Sequence, residues 1–170
     1  MNLARVPFDF AFFRDSISAS RRAALWRLAD VISRARPSCG RRELAEALYA
    51  RERLGTTAIG GGVALPHSVL KESDLPLIVV QVLYNAVNFD APDARPVDVL
   101  IAVVGEPVDL RWLQAAMPRL SKLGSEPEMI QELRSASDAQ EASRAILDLG
   151  IPLAPLPAAC ALTQMGGVAR

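Results

Sequence analysis

Two runs constrain this chain most: LIVVQVL at residues 77–83 and VDVLIAVVG at 97–105. Both are rich in β-branched residues, are bounded by Pro and Gly, and lack the alternation of a half-exposed strand. A strand that is apolar on both sides must be covered on both sides. The two runs therefore predict central strands of a sheet with helices packed against it. At 170 residues the chain has room for one such core. With 51% hydrophobic and 22% charged residues, it is not a globally disordered chain.

The helices are legible as periodicity. Leu25, Leu28, Ala29, Ile32 and Ala35 recur at spacings of three and four between Ser20 and Arg36, with Ser18 or Ser20 as the cap and Pro37 as the stop. A second stripe, Leu44, Ala47, Leu48 and Arg51, runs from about Arg41 to Arg53 and ends at Gly55. The three glycines at 60–62 predict a tight turn feeding a short strand, Val63 to Leu65, that stops at Pro66. Between the two long strands, Asn85 to Pro96 carries turn chemistry and predicts a hairpin-like excursion or short edge strands. Beyond them lie a helix from Asp109 to Lys122, kinked or divided near Ala115 by Pro118, and two shorter helices at 126–135 and 138–148, the last capped by Ser137 or Asp138. The order helix, helix, strand, strand, strand, helix, helix, helix gives an α/β layered domain over residues 1–150. Residues 151–170, proline-spaced and nearly uncharged, read as an irregular apolar tail.

Charge and composition narrow the partners. Nineteen Lys and Arg balance nineteen Asp and Glu, so no net field draws the chain to nucleic acid. The strand-like apolar stretch from Leu75 to Leu83, nine residues that contain Pro76 and Gln81, falls short of the roughly 20 uninterrupted apolar residues a membrane span needs. The start, MNLARVPFDFAFFRDS, is interrupted by Asp9, Arg14 and Asp15 and is a poor export signal. Cys39 and Cys160 stand far apart and read as reduced structural thiols. These features predict a cytoplasmic protein with no membrane insertion.

His67 is the single histidine, and it follows a Gly-rich turn, a short apolar strand and Pro66. Residue types alone leave two readings open: an ordinary surface or core histidine, or an imidazole projected into an open site. The glycines at 60–62 do not make a phosphate loop, because neither GxxxxGK[ST] nor GxGxxG spacing is present. No metal is expected, since one histidine without HExxH or a cysteine pair cannot supply a zinc ligand set. Asp90 and Asp93 read as solvated turn residues.

The whole run RERLGTTAIGGGVALPHSVL, Arg51 to Leu70, closely resembles the active-site segment of the enzyme IIA domains of the phosphoenolpyruvate-dependent sugar phosphotransferase system. The resemblance is to the fructose/mannitol (type 2) and nitrogen-regulatory branch. Arg51, Glu52, Gly55, Thr56, Thr57, Gly60, Gly62, Ala64, Pro66 and His67 fall in register without a gap, and FDAPDARPVDVLIAVV at 89–104 continues the match. It covers about residues 15–148 and implies a single layered domain, a central mixed β-sheet flanked by helices.

It further implies that His67 is a tele-phosphohistidine, accepting a phosphoryl group from HPr or a nitrogen-branch HPr-like phosphocarrier, without a cofactor. Arg51 takes the place of the family's phosphate-pairing cation, and Thr56, Thr57 and Ser68 are phosphate-contact candidates. The chain departs from the family at Asp109, where many members carry a second active-site histidine, and at Ser68-Val69, where Gly-Lys is common. A carboxylate repels an incoming phosphoryl group, and Ser in place of Gly restricts the backbone beside the acceptor. Two functional readings follow. The first is a phosphocarrier that regulates partners such as a transporter or a kinase. The second is a phosphorylation-silent enzyme IIA-like interaction module.

Overall fold

The computed structural model describes residues 7–70, 76–107 and 110–156. One six-stranded sheet forms its centre, built from β1 (Asp9–Asp15), β2 (Ala58–Gly60), β3 (Val63–Ala64), β4 (His67–Val69), β5 (Leu77–Val87) and β6 (Val97–Gly105). The strands lie in the order β1-β5-β6-β3-β2, and β4 also pairs with β6. β1 runs parallel to β5, β5 antiparallel to β6, and β3 and β4 both parallel to β6, so the sheet is mixed.

The two long strands are central and buried, as their unbroken apolar runs require. Alternate residues divide between two cores. Leu77, Val79, Leu83, Leu100, Ala102 and Val104 pack beneath α1 (Arg21–Ala35) and α2 (Arg41–Leu54). Ile78, Val80, Val82, Val99, Ile101 and Val103 pack beneath α3 (Leu110–Ser121), α4 (Pro127–Ser135) and α5 (Ala139–Asp148). Gln81 is the polar exception. Its amide donates to the Asp15 carboxylate at 2.7 Å, which also accepts the Ser18 hydroxyl at 2.5 Å, so the end of β1 is tied to β5 inside the core.

Several expectations are corrected. A strand, β1, precedes the first helix where none was expected: FDFAFFRD puts aromatics on both faces, so it lacks the alternation that marks a strand. β5 continues past Leu83 to Val87, with Tyr84, Asn85 and Ala86 turned to solvent, so the excursion starts later than Asn85. The strand at Val63 to Leu65 is two residues long, Val63 and Ala64, and is flanked by the short β2 and β4. α3 is continuous through Pro118, because that proline and Gln114, whose carbonyl loses its partner, both lie on the exposed side where water can bond the carbonyl. Ser20, not Ser18, caps α1 by accepting from the Ala23 N–H at 3.1 Å. Asp138 caps α5, accepting from Glu141 N–H at 2.8 Å.

The glycine turn joining β2 to β3 has φ of +95°, +63° and +81° at Gly60, Gly61 and Gly62. It is fixed from two sides. Asp93 accepts the Gly61 N–H at 2.9 Å, and Arg134 donates to the Gly61 carbonyl at 2.9 Å while forking onto Asp98. This pinned turn sets where β3 emerges, and therefore where the chain delivers Pro66 and His67.

Candidate functional site

His67 opens β4 at the end of the sheet, opposite Val103 of β6. The residues before it are rigidly held: Leu65 N–H donates to the Thr57 carbonyl at 2.9 Å, and the Pro66 carbonyl accepts from Val103 N–H at 3.0 Å. The two ring nitrogens then have distinct partners. Nδ1 lies 2.9 Å from the Leu65 carbonyl, an acceptor, so Nδ1 carries the proton. Nε2 faces Arg51 Nε at 2.9 Å, a donor, so Nε2 presents its lone pair. The two bonds together fix a neutral imidazole in one tautomer, with its nucleophilic nitrogen beside a guanidinium.

Arg51 stands in the last turn of α2, where a cation also complements the helix dipole. Its Nη1 donates to the Gly55 carbonyl at 3.0 Å, which orients the guanidinium across the end of the helix. The next residue, Glu52, points inward and is buried. Its carboxylate accepts Thr57 N–H at 3.0 Å and the Thr57 hydroxyl at 2.5 Å, and lies 3.5 Å from Arg21. Arg21 in turn pairs with Asp90 at 2.9 Å and covers the Phe89 ring. Thr56 donates its hydroxyl to the Phe89 carbonyl and accepts from Ala58 N–H.

The structure thus brings Arg51 and His67 together. It engages the hydroxyls of Thr56 and Thr57 in holding the 55–58 loop, away from the imidazole. Ser68 follows His67 on β4 and, by strand alternation, turns its side chain to the opposite side. Asp109, the position of the family's second histidine, lies outside the described residues, as does Cys160. Asp93 is more than a turn former. Its carboxyl is held below the usual carboxylate range, chiefly by the Gly61 N–H and then by that of Arg95. Among the described residues no three His, Cys, Asp or Glu side chains form a group suited to a metal ion. No helix there is long and apolar enough to cross a membrane. An open pocket of about 340 Å³ lies beside Glu52, lined in part by Arg21, Tyr49, Arg53 and Asp90.

The family profile described as phosphoenolpyruvate-dependent sugar phosphotransferase system, EIIA 2, matches residues 10–148. The chain belongs to this enzyme IIA family. The nitrogen regulatory protein of Pseudomonas aeruginosa is 30% identical over 131 residues, 76% of this chain and 84% of that one. The crystal structure of nitrogen regulatory protein IIA-Ntr from Neisseria meningitidis matches with a TM-score of 0.73 at 24% identity, covering 80% of this chain and 92% of that one. The mannitol enzyme IIA in its complex with phosphorylated enzyme IIB from Escherichia coli matches at 0.62 and 14% identity, covering 81% and 94%. Both structures share the α/β fold of this enzyme IIA domain. Its role is that of a carrier or regulatory protein associated with the phosphotransferase system.

Three groups of this enzyme IIA domain's site carry little signal in the residue string. The Leu65 carbonyl is a main-chain group, so no side-chain identity marks it. Glu52 is visible as the second letter of the RE pair, but its inward direction follows from its place on α2. Arg21, 31 residues before Glu52, is one arginine among many on α1 and α2.

Proposed function

We propose that this enzyme IIA domain is a cytoplasmic phosphocarrier that accepts a phosphoryl group on Nε2 of His67 from a phosphohistidine of HPr or a nitrogen-branch relative. Partner proteins, such as a transporter or a kinase, would read the state of that histidine. The observation that carries the proposal is the pair of bonds on the imidazole: Leu65 takes the Nδ1 proton and leaves the Nε2 lone pair facing Arg51.

In the transfer, the Nε2 lone pair forms a new N–P bond while the N–P bond of the donor breaks, its electron pair returning to the donor's ring nitrogen. The Nδ1 proton stays on His67, held by the Leu65 carbonyl as the ring takes on positive character. Arg51 then exchanges the ring nitrogen for the phosphoryl oxygens, which its planar fork can bond in pairs. Phosphoryl transfer asks mainly for alignment and charge stabilisation, and these residues supply both. Leu54, 86% exposed, and Val69, 40% exposed, give the surface around the site apolar contacts for a carrier.

The second reading, a phosphorylation-silent interaction module, is favoured by Asp109 and by Ser68-Val69 in place of the family's usual residues. One experiment separates the two. The protein is mixed with phosphoenolpyruvate, enzyme I and either carrier, and its intact mass is followed beside His67→Ala. A gain of about 80 Da, one phosphoryl group, that His67→Ala abolishes is the expected result. No gain with either carrier establishes the silent module, and a gain that survives His67→Ala places the acceptor elsewhere. Asp109→His is expected to speed the gain, by replacing a repelling carboxylate with a donor; an unchanged rate would put position 109 outside the phosphoryl pocket.

A further inference from the structure

Both nitrogens of His67 are held from one turn of α2, by routes of different length. Arg51 reaches Nε2 directly at 2.9 Å. The route to Nδ1 starts at the next residue and runs through main chain. Glu52 accepts both donors of Thr57 on one carboxylate oxygen, Oε2: the N–H at 3.0 Å and the hydroxyl at 2.5 Å. The Thr57 carbonyl accepts from Leu65 N–H at 2.9 Å, and the Leu65 carbonyl accepts from Nδ1 at 2.9 Å. Glu52, Thr57 and Leu65 are all buried, so water competes little for these bonds.

A buried carboxylate is a costly way to fix a loop, because its charge must be taken out of water. Holding residues 55–58 to α2 needs no charge, since a hydroxyl or an amide oxygen can accept an N–H. What the carboxylate alone offers is two oxygens that both accept. Oε2 takes Thr57, and Oε1 faces the Arg21 guanidinium at 3.5 Å, which Asp90 holds from its other side at 2.9 Å. Asp90 does so from a left-handed conformation, φ +54°, with its N–H donating to the Asn88 side chain at 2.7 Å. The loop that carries Thr57 is thus braced against α1, α2 and residues 88–90 together. The Leu65 carbonyl takes its position from that brace.

We propose that Glu52 is a positioning residue for the transfer: through Thr57 and Leu65 it fixes the Nδ1–H bond, and with it the direction of the Nε2 lone pair beside Arg51. It acts through other residues rather than on the reacting atoms. The inference rests on the reading of His67 as the acceptor, and its first test is made on the unphosphorylated protein.

Exchange of the His67 Nδ1 proton with water, followed by NMR on the full chain, is compared in four variants. Glu52→Met keeps the length of the side chain and removes both carboxylate oxygens. Thr57→Val removes the hydroxyl link and Thr57→Ser restores it. Ile146→Val loosens the opposite core, beneath α5, without touching the route. Exchange is expected to rise about fivefold or more in Glu52→Met and about twofold or more in Thr57→Val, and to stay near wild type in the other two. Wild-type exchange in both Glu52→Met and Thr57→Val overturns the proposal, and so does an equal rise in Ile146→Val, which would trace the effect to stability alone. Should Glu52→Met fail to fold, the Thr57 pair decides, and equal exchange in Val and Ser overturns it. In phosphoryl transfer from the phosphorylated carrier, the maximal rate is expected to fall about tenfold or more in Glu52→Met, with the half-saturating carrier concentration unchanged. A change in that concentration alone overturns the proposal. A wild-type chain that takes no phosphoryl group overturns the reading of His67 as acceptor, whereas the exchange measurement still shows whether Glu52 fixes the ring, so the two failures are told apart.

Discussion

At Arg51 and Glu52, neighbouring side chains of one helical turn act in opposite directions. Arg51 faces the imidazole, and Glu52 faces the interior to hold the loop that Arg51 also touches through Gly55. Arg51→Ala is expected to slow phosphoryl transfer by about 10²-fold, the scale of losing one donor to developing charge, while leaving the melting temperature nearly unchanged. Transfer at the wild-type rate would remove Arg51 from the step. Thr57→Val makes the complementary change. It deprives the buried Glu52 carboxylate of its 2.5 Å hydroxyl donor and should destabilise the fold by about 1–3 kcal/mol, read from the urea midpoint. His67 and Arg51 were legible in the residue string because their types and spacing carry the motif. The threonine hydroxyls were not, because the same residue serves a phosphate contact, a turn or a carboxylate clasp, and only the fold decides among them.

Among the elements, the β2–β3 turn shows how a glycine run can act without touching a phosphate. Gly61 has φ of +63°, and a Cβ there would stand 2.8 Å from Ile130 Cδ1 and 3.1 Å from the Gly124 carbonyl oxygen. Gly61→Ala therefore combines backbone strain with a tight approach to the Gly124 carbonyl and an Ile130 methyl that must move aside, and a loss of about 1–3 kcal/mol is expected in denaturant unfolding. A neutral effect would show that the turn can shift, and with it the path of β3 to His67. The strands around this turn were only partly readable in advance. β5 and β6 announce themselves because they are buried on both faces for many residues. β2 and β4, at three residues each, are too short for any periodicity to register. β1 was hidden for a different reason: its phenylalanines fill both cores, and the pairing with β5 that makes it a strand lies 68 residues further along the chain. Pro118 shows the converse, a strong local signal that an exposed helix face absorbs.

Over the whole molecule, exposed carboxylates fasten turns and helix entries outside the sheet's own ladder. Asp93 holds Gly61, 32 residues away, and Glu141 accepts the N–H and hydroxyl of Ser137 at 2.9 Å each, closing the entry to α5. Both carboxyls lie below their ordinary values, Asp93 chiefly through the Gly61 N–H and Glu141 chiefly through the Ser137 N–H, because those bonds favour the charged form. A group whose value is lowered in the folded state adds stability above its unfolded value, about 3.9 for Asp and about 4.3 for Glu. That contribution is lost as pH falls through the folded value, since the unfolded chain takes up the proton first. Stability should therefore decline from about pH 5 downward, in the range where these carboxylates titrate. Asp93→Asn cannot titrate, so its urea midpoint should change less than that of wild type as the pH falls. Because Asp93 is exposed, the difference should also shrink as salt screens the charge. Parallel slopes for the two proteins would mean that the Gly61 turn is held by Arg134 and backbone geometry alone, and that the acid sensitivity of the fold arises at other carboxylates.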